Sequence, residues 1–166
     1  IFPSNTSELI QSSLFTDVHT SITGKNELKS IFGEAPFQFP KPTTLIYRLM
    51  QLITDKDSII LDSFAGSGTT AHAVLNLNKQ DGGNRKFILV ELGDYAENIT
   101  AERVRRVISG YGEGKNAVEG TGGSFDFYEL GDTLFDPKTE NLNDNADTEQ
   151  IRQYVWYSET HAPYIA

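Results

Sequence analysis

A chain of 166 residues, 38% hydrophobic and 22% charged, has room for one globular domain with a real core. It holds no cysteine, which excludes disulfides and thiolate metal sites, and no apolar run near the roughly 20 residues of a membrane helix. Its net charge of −9 repels phosphate backbones, so this stretch is not expected to be the main grip on nucleic acid.

Ile1-Phe2-Pro3-Ser4 lacks the basic and apolar parts of a secretory signal, and a reducing cytoplasm is the expected compartment. His19, His72 and His161 form no ligand-spaced pair, and no metal site is expected. The chain reads as a piece of a longer protein.

Residues 1–22 mix Ser, Thr and Asn with scattered apolar residues and are read as irregular. Residues 26–32 predict a short helix, with Leu28, Ile31 and Phe32 on one face and Gly33 as its stop. Residues 37–42 are extended, because the residue before each proline is kept out of the α region, and Pro42 suits the first turn of the next helix. In that helix Leu45, Ile46, Leu49, Leu52 and Ile53 make a core-facing stripe ending near Asp55. Residues 58–61 form a strand closed by Asp62, followed by a glycine-rich turn and a helix over about 68–78 with Ala71, Val74, Leu75 and Leu77 inward. Residues 80–84 are a turn, and residues 86–92 a second strand, apolar enough to be buried on both faces, with Glu91 at its tip.

A third helix over about 97–109 turns Ile99, Val104, Val107 and Ile108 inward, with Arg103, Arg105 and Arg106 around it. Residues 110–123 are glycine-rich and predict a mobile loop; residues 124–130 alternate as a strand does. Residues 136–149 are polar and acidic, and residues 150–157 begin another helix or strand. Two βα units in succession imply parallel strands with right-handed crossovers, so the fold class is α/β, a Rossmann-like doubly wound sheet. The expected division is a cofactor-binding part over 1–131, an acidic linker or loop over 132–149, and a C-terminal element over 150–166.

Three ligands compete for the glycine-rich turn. A phosphate-binding P-loop needs a lysine after the last glycine, but Thr69-Thr70 follow Gly68. Gly66-Ser67-Gly68-Thr69-Thr70-Ala71 fits the dinucleotide pattern G-x-G-x-x-A. S-adenosylmethionine is the third, and Asp62, at the end of the first strand, suits its ammonium and would repel a pyrophosphate. Glu91 could accept hydrogen bonds from ribose hydroxyls of either nucleoside-containing ligand. Asp62 as a helix cap and the glycines as mere turn residues is the plain structural alternative.

The run Asp62-Ser63-Phe64-Ala65-Gly66-Ser67-Gly68-Thr69-Thr70-Ala71-His72-Ala73-Val74, preceded by Phe39-Pro40-Lys41-Pro42, resembles bacterial amino-methylating DNA methyltransferases. Among these it is similar to the modification subunits of type III restriction-modification systems, which methylate adenine N6. The similarity continues through residues 77–91 and 99–103 and covers roughly 25–130.

The resemblance implies a partial Rossmann-like methyltransferase fold with S-adenosylmethionine as cofactor. It assigns Lys41, Pro42 and Thr43 to the methionine end. Asp62, Phe64, Ala65, Gly66, Ser67, Gly68 and Thr69 would form the pocket floor, with Glu91 on the ribose and Leu92 against the adenine.

Two departures stand out. Ser63 occupies a position where the family has Phe or Pro, and the catalytic Asp/Asn-Pro-Pro-aromatic tetrapeptide does not occur. In the permuted order of this class that tetrapeptide and the base-reading domain precede the Pro40-Lys41-Pro42 segment. No catalytic residue is therefore expected within these residues, and the chain alone is expected to be inactive. The implied partners of the parent enzyme are DNA, a restriction subunit and a second copy of itself. The other functions left open are a NAD-type oxidoreductase domain and a non-catalytic assembly module.

Overall fold

Ile59-Ile60-Leu61-Asp62 is strand β1 (Ile59–Asp62), and it pairs in parallel with β2 (Lys86–Leu89), Ile59 opposite Lys86 and Asp62 opposite Leu89. This is a computed structural model, and it describes residues 21–165; the irregular reading of residues 1–20 lies outside the described residues. Around the pair lie helices α1 (Ser21–Phe32), α2 (Thr43–Ile53), α3 (Thr69–Asp81) and α4 (Glu102–Ser109), the last entered through a π-helical turn at Ala96–Ala101. The chain divides into two compact units, the first ending at Phe125 and the second beginning at Asp126. The architecture is α/β, a small parallel sheet with flanking helices.

Helix α3 is the hub of the first unit. Its fully buried Ala71, Ala73 and Val74 present little bulk, so neighbouring helices close in on both sides. Ala71 and Leu75 pack with Ile31, Val104 and Val107, while Ala73, Val74 and Leu77 pack with Met50. Inward-facing Ile60, Phe87 and Leu89 carry the sheet onto these clusters. At the far end of α3, Arg85 is clamped by Asp81 at 3.0 and 3.1 Å, which fixes the entry to β2.

Several expectations change on this frame. Helix α1 begins at Ser21, earlier than residue 26, because Gly24 lets it lie against the Pro40 carbonyl; a Cβ there would sit 2.5 Å from that oxygen. Pro42 is the residue before α2 (φ −70°, ψ 138°) and not part of its first turn. The stripe of α2 is only partly core: Leu49, Leu52 and Ile53 are exposed, and Ile46, Leu49, Met50 and Ile53 line a groove along β1. Gln80 and Asp81 remain helical, and Gly82 in the left-handed region (φ 66°) ends α3.

The second strand is shorter than predicted and is not covered on both faces. Ile59, Leu61, Ile88 and Val90 all exceed half exposure, since among the described residues β1 and β2 pair only with each other and the helices cover one side. We expect Leu61→Thr to shift the unfolding free energy by no more than about 0.5 kcal/mol, as for a solvated surface change. A loss several times larger in denaturant titration would mean that this face is covered in solution.

The predicted mobile loop after α4 is a short antiparallel hairpin, β3 (Gly110–Tyr111) with β4 (Val118–Glu119), around a 3₁₀ turn at Gly114–Asn116. Its glycines serve close approach: a Cβ on Gly120 would lie 2.2 Å from the Ile108 carbonyl oxygen. Residues 124–130 form no strand, for among the described residues no neighbouring strand offers them a ladder; Phe125 packs on the core, and Tyr128 and Leu130 are exposed.

In the second unit a bridge joins Phe135 and Leu142, and the Asp136 carboxylate caps the turn between them through the Lys138 and Thr139 N–H groups, both at 2.8 Å. Helix α5 (Thr148–Thr160) meets that bridge through Phe135 and Tyr154, whose rings stand edge to face. No helix among the described residues is long and apolar enough to cross a membrane.

Candidate functional site

The turn between β1 and α3 is held at Ala65 and Gly66 by groups from neighbouring elements. Gly66 (φ 53°) and Gly68 (φ 75°) both adopt the left-handed region, which lets the chain reverse from strand to helix within a few residues. The Gly68 N–H donates to the Ala65 carbonyl at 2.9 Å, and the Ala65 N–H to the Val90 carbonyl at 3.0 Å. Gly66 is clamped from both sides: its N–H donates to Glu91 Oε2 at 2.7 Å, and its carbonyl accepts from Thr100 Oγ1 at 2.6 Å.

Asp62, the last residue of β1, turns its carboxylate to the start of α3. Oδ1 accepts from the Phe64 N–H at 3.1 Å and Oδ2 from the Thr70 hydroxyl at 2.5 Å. The helix begins at Thr69, where first-turn N–H groups have no partner within the helix.

Glu91 stands two residues past β2. Its Oε1 accepts from the Leu92 and Gly93 N–H groups, both at 2.9 Å. Burial pushes its carboxyl up, but the N–H groups of Gly93, Gly66 and Leu92 and the Tyr95 hydroxyl outweigh that and hold it below the ordinary carboxylate range. Phe64 and Leu92, at the tips of the two strands, are almost fully exposed apolar side chains. Phe37 and Tyr95 meet edge to face, 5.2 Å apart.

The segment before α2 reaches the same loop. Pro40, Pro42 and Thr43 are buried and Lys41 is exposed; the Lys41 carbonyl accepts from Thr69 Oγ1 at 3.2 Å. Glu27, on α1, takes the Thr43 N–H at 3.0 Å and its hydroxyl at 2.6 Å. The structure thus brings Lys41, Thr43, Asp62, Ala65, Gly66, Ser67, Gly68, Thr69 and Glu91 into one connected cluster. Ser67 and Thr69 are buried with their hydroxyls on Arg103, at 3.1 and 3.0 Å, so their side chains serve the protein interior.

Sequence reasoning missed the interior of this cluster. Arg103, expected around the helix with Arg105 and Arg106, is wholly buried. Its position was legible in principle, since it lies one residue before Val104 and four before Val107 on the buried stripe. Burial lowers the guanidinium to about 10, still protonated at neutral pH, with Glu27 opposing that shift. His72, on α3, is 5% exposed and directs Nδ1 at the same guanidinium. Burial first, and then the Arg103 charge, depress His72 from 6.5 to about 3, so the ring is neutral. Thr100 and Tyr95 carried no signal that tied them to the turn. Among the described residues no group of three His, Asp or Glu could hold a metal ion.

The family model described as DNA methylase matches residues 5–102. The StyLTI Mod subunit, a type III restriction-modification enzyme of Salmonella typhimurium, is 48% identical over 84 residues, covering 51% of this chain and 13% of that protein. The EcoPI Mod subunit of Escherichia phage P1 is 48% identical over 73 residues, 44% of this chain and 11% of that protein. The type II methyltransferase M.KpnI of Klebsiella pneumoniae is 50% identical over 66 residues, 40% of this chain and 16% of that protein. The chain thus matches less than a fifth of each of these relatives' lengths.

Proposed function

This chain belongs to the DNA methylase family, and from that premise we propose that it is the S-adenosylmethionine-binding portion of a DNA methyltransferase acting on adenine N6. One observation carries the choice of ligand: the Asp62 carboxylate stands at the turn as an acceptor, taking the Phe64 N–H and the Thr70 hydroxyl. Asp62 sits against the N-terminus of α3, and Glu91 already takes the Gly66 N–H. A pyrophosphate over this helix N-terminus would meet the Asp62 carboxylate, whereas Glu91 could serve the ribose hydroxyls of either ligand. A ligand with an ammonium and sugar hydroxyls meets complementary charge instead.

In this reading Lys41, Pro42 and Thr43 hold the methionine end, with the exposed Lys41 available to its carboxylate. Asp62 accepts from the ammonium through lone pairs that Phe64 and Thr70 leave open. The turn Phe64, Ala65, Gly66, Ser67, Gly68 and Thr69 forms the floor, principally through backbone. Glu91 exchanges part of its hydrogen bonding for ribose hydroxyls, and Leu92 and Phe64 supply apolar surface for the adenine. When bound, the cofactor supplies an electrophilic methyl group. The chain's own part is to fix the donor and keep its charged end away from bulk water. The rest of the Rossmann-like sheet, the catalytic tetrapeptide and the base-reading region belong to the longer parent enzyme, whose partners are DNA and a restriction subunit.

Calorimetric titration of the purified chain with S-adenosylmethionine and, separately, with NAD tests the reading. We expect binding of the first only. Asp62→Asn, which keeps one oxygen acceptor, is expected to weaken it by about ten- to a hundredfold, as for one charge-assisted hydrogen bond. Binding of NAD alone would establish the oxidoreductase alternative, and binding of neither the assembly module. The chain alone is expected to leave duplex DNA unmethylated; methyl transfer by these residues would refute that part.

A further inference from the structure

Arg103 reaches five residues from four separate segments with one guanidinium. From α4, its Nη1 donates to Ser67 Oγ at 3.1 Å, the Ser67 carbonyl at 3.3 Å and Thr69 Oγ1 at 3.0 Å. Its Nη2 donates to Thr43 Oγ1 at 3.0 Å and to Glu27 Oε2 at 3.3 Å, and also reaches His72 Nδ1 at 3.1 Å. Its Nε donates to His72 Nδ1 at 3.3 Å. One nitrogen therefore serves the glycine turn and the start of α3, and the other serves the segment that leads into α2.

We propose that Arg103 is the positioning residue of the donor site, setting the gap between residues 40–43 and the turn at 62–69. The inference rests on the reading of that site as one for S-adenosylmethionine. The fork of a guanidinium is planar and rigid, so bonds from its two ends hold their acceptors at a fixed separation. A packed apolar residue of similar volume stabilises a fold as well as a buried ion pair does or better, so stability alone does not call for a charge here. What an apolar residue cannot do is hold Ser67 and Thr43 at once. Among the described residues one other hydrogen bond joins the two segments in the same place, Thr69 Oγ1 to the Lys41 carbonyl at 3.2 Å. Arg103 touches neither face open to a ligand, and its effect passes through the segments it spaces.

The test uses two ligands on the purified chain. S-adenosylmethionine engages both segments, whereas 5′-methylthioadenosine lacks the amino-acid end and engages the nucleoside part alone. Arg103→Met is expected to weaken S-adenosylmethionine by about tenfold or more and to leave 5′-methylthioadenosine within about twofold. Arg103→Lys keeps the charge beside Glu27 but not the fork; it is expected to show the same split and serves if the Met variant does not fold. Equal affinity for S-adenosylmethionine in wild type and variants, or equal losses for both ligands, would overturn the proposal. Failure of the wild type to bind S-adenosylmethionine would instead overturn the reading on which it rests.

Discussion

Acidification from pH 7 toward pH 5 is expected to destabilise the folded chain by about 1.4 kcal/mol per pH unit below the unfolded-state value of histidine, through the buried His72. The ring is buried, and Nδ1 accepts from two nitrogens of Arg103 at 3.1 and 3.3 Å, so the proton belongs on Nε2. A second proton would set a cation against the guanidinium in a site from which water is excluded. Glu27 from α1 and Tyr111 from β3 also face this site, but Glu27 already pairs with Arg103, and the Tyr111 ring stands perpendicular to the imidazole with centroids 6.4 Å apart.

The folded value of about 3 lies below the unfolded 6.5, so the unfolded chain takes up the proton first. Stability is complete above the unfolded value and is lost progressively as the pH falls toward the folded one. Asp81, Glu91, Glu102 and Asp136, whose carboxyls are held low, act only at or below the ordinary carboxylate range, so among the described residues the window above it isolates His72. Urea unfolding at stepped pH should give a steep slope for wild type and a flat one for His72→Gln, whose amide oxygen can still accept from Arg103. Parallel curves would show that another group sets the acid sensitivity.

The same residue shows how far the sequence could be read. The turn was legible because its signals are local: an acid closing an apolar strand, two glycines where the backbone needs positive φ, and a helix that follows at once. Asp62, Gly66, Gly68 and Glu91 fall together in space for that reason. The buried centre was not, because Arg103, His72 and Glu27 lie on three different helices and only tertiary packing joins them. The two strand errors share one cause. Alternation at 124–130 and the apolar run at 86–92 say which side chains could be buried, and burial needs a neighbour that sequence pattern does not supply. Residues 124–130 found no ladder, and Ile88 and Val90 found no covering layer among the described residues.

Gly68→Ala is expected to cost roughly 2–3 kcal/mol of stability and to abolish donor binding. The φ of 75° alone costs an L side chain about 1–2 kcal/mol. A Cβ there would also stand 3.0 Å from the Thr100 carbonyl oxygen, and that neighbour is backbone, unable to swing aside. Thr100 is also the residue whose hydroxyl holds the Gly66 carbonyl at 2.6 Å, so displacing it unlocks the turn itself. Gly33 supplies the control: its φ is 86°, but nothing lies within 4 Å of the position its Cβ would take. Gly33→Ala should therefore cost only the backbone part, about 1 kcal/mol. Asparagine separates the two contributions further, because it tolerates the left-handed region. Gly33→Asn should be nearly neutral, whereas Gly68→Asn keeps the collision with Thr100 and should remain well below wild type in denaturant unfolding and in S-adenosylmethionine titration. Equal costs at the two positions would show that the Thr100 backbone yields freely and that φ alone makes Gly68 a glycine.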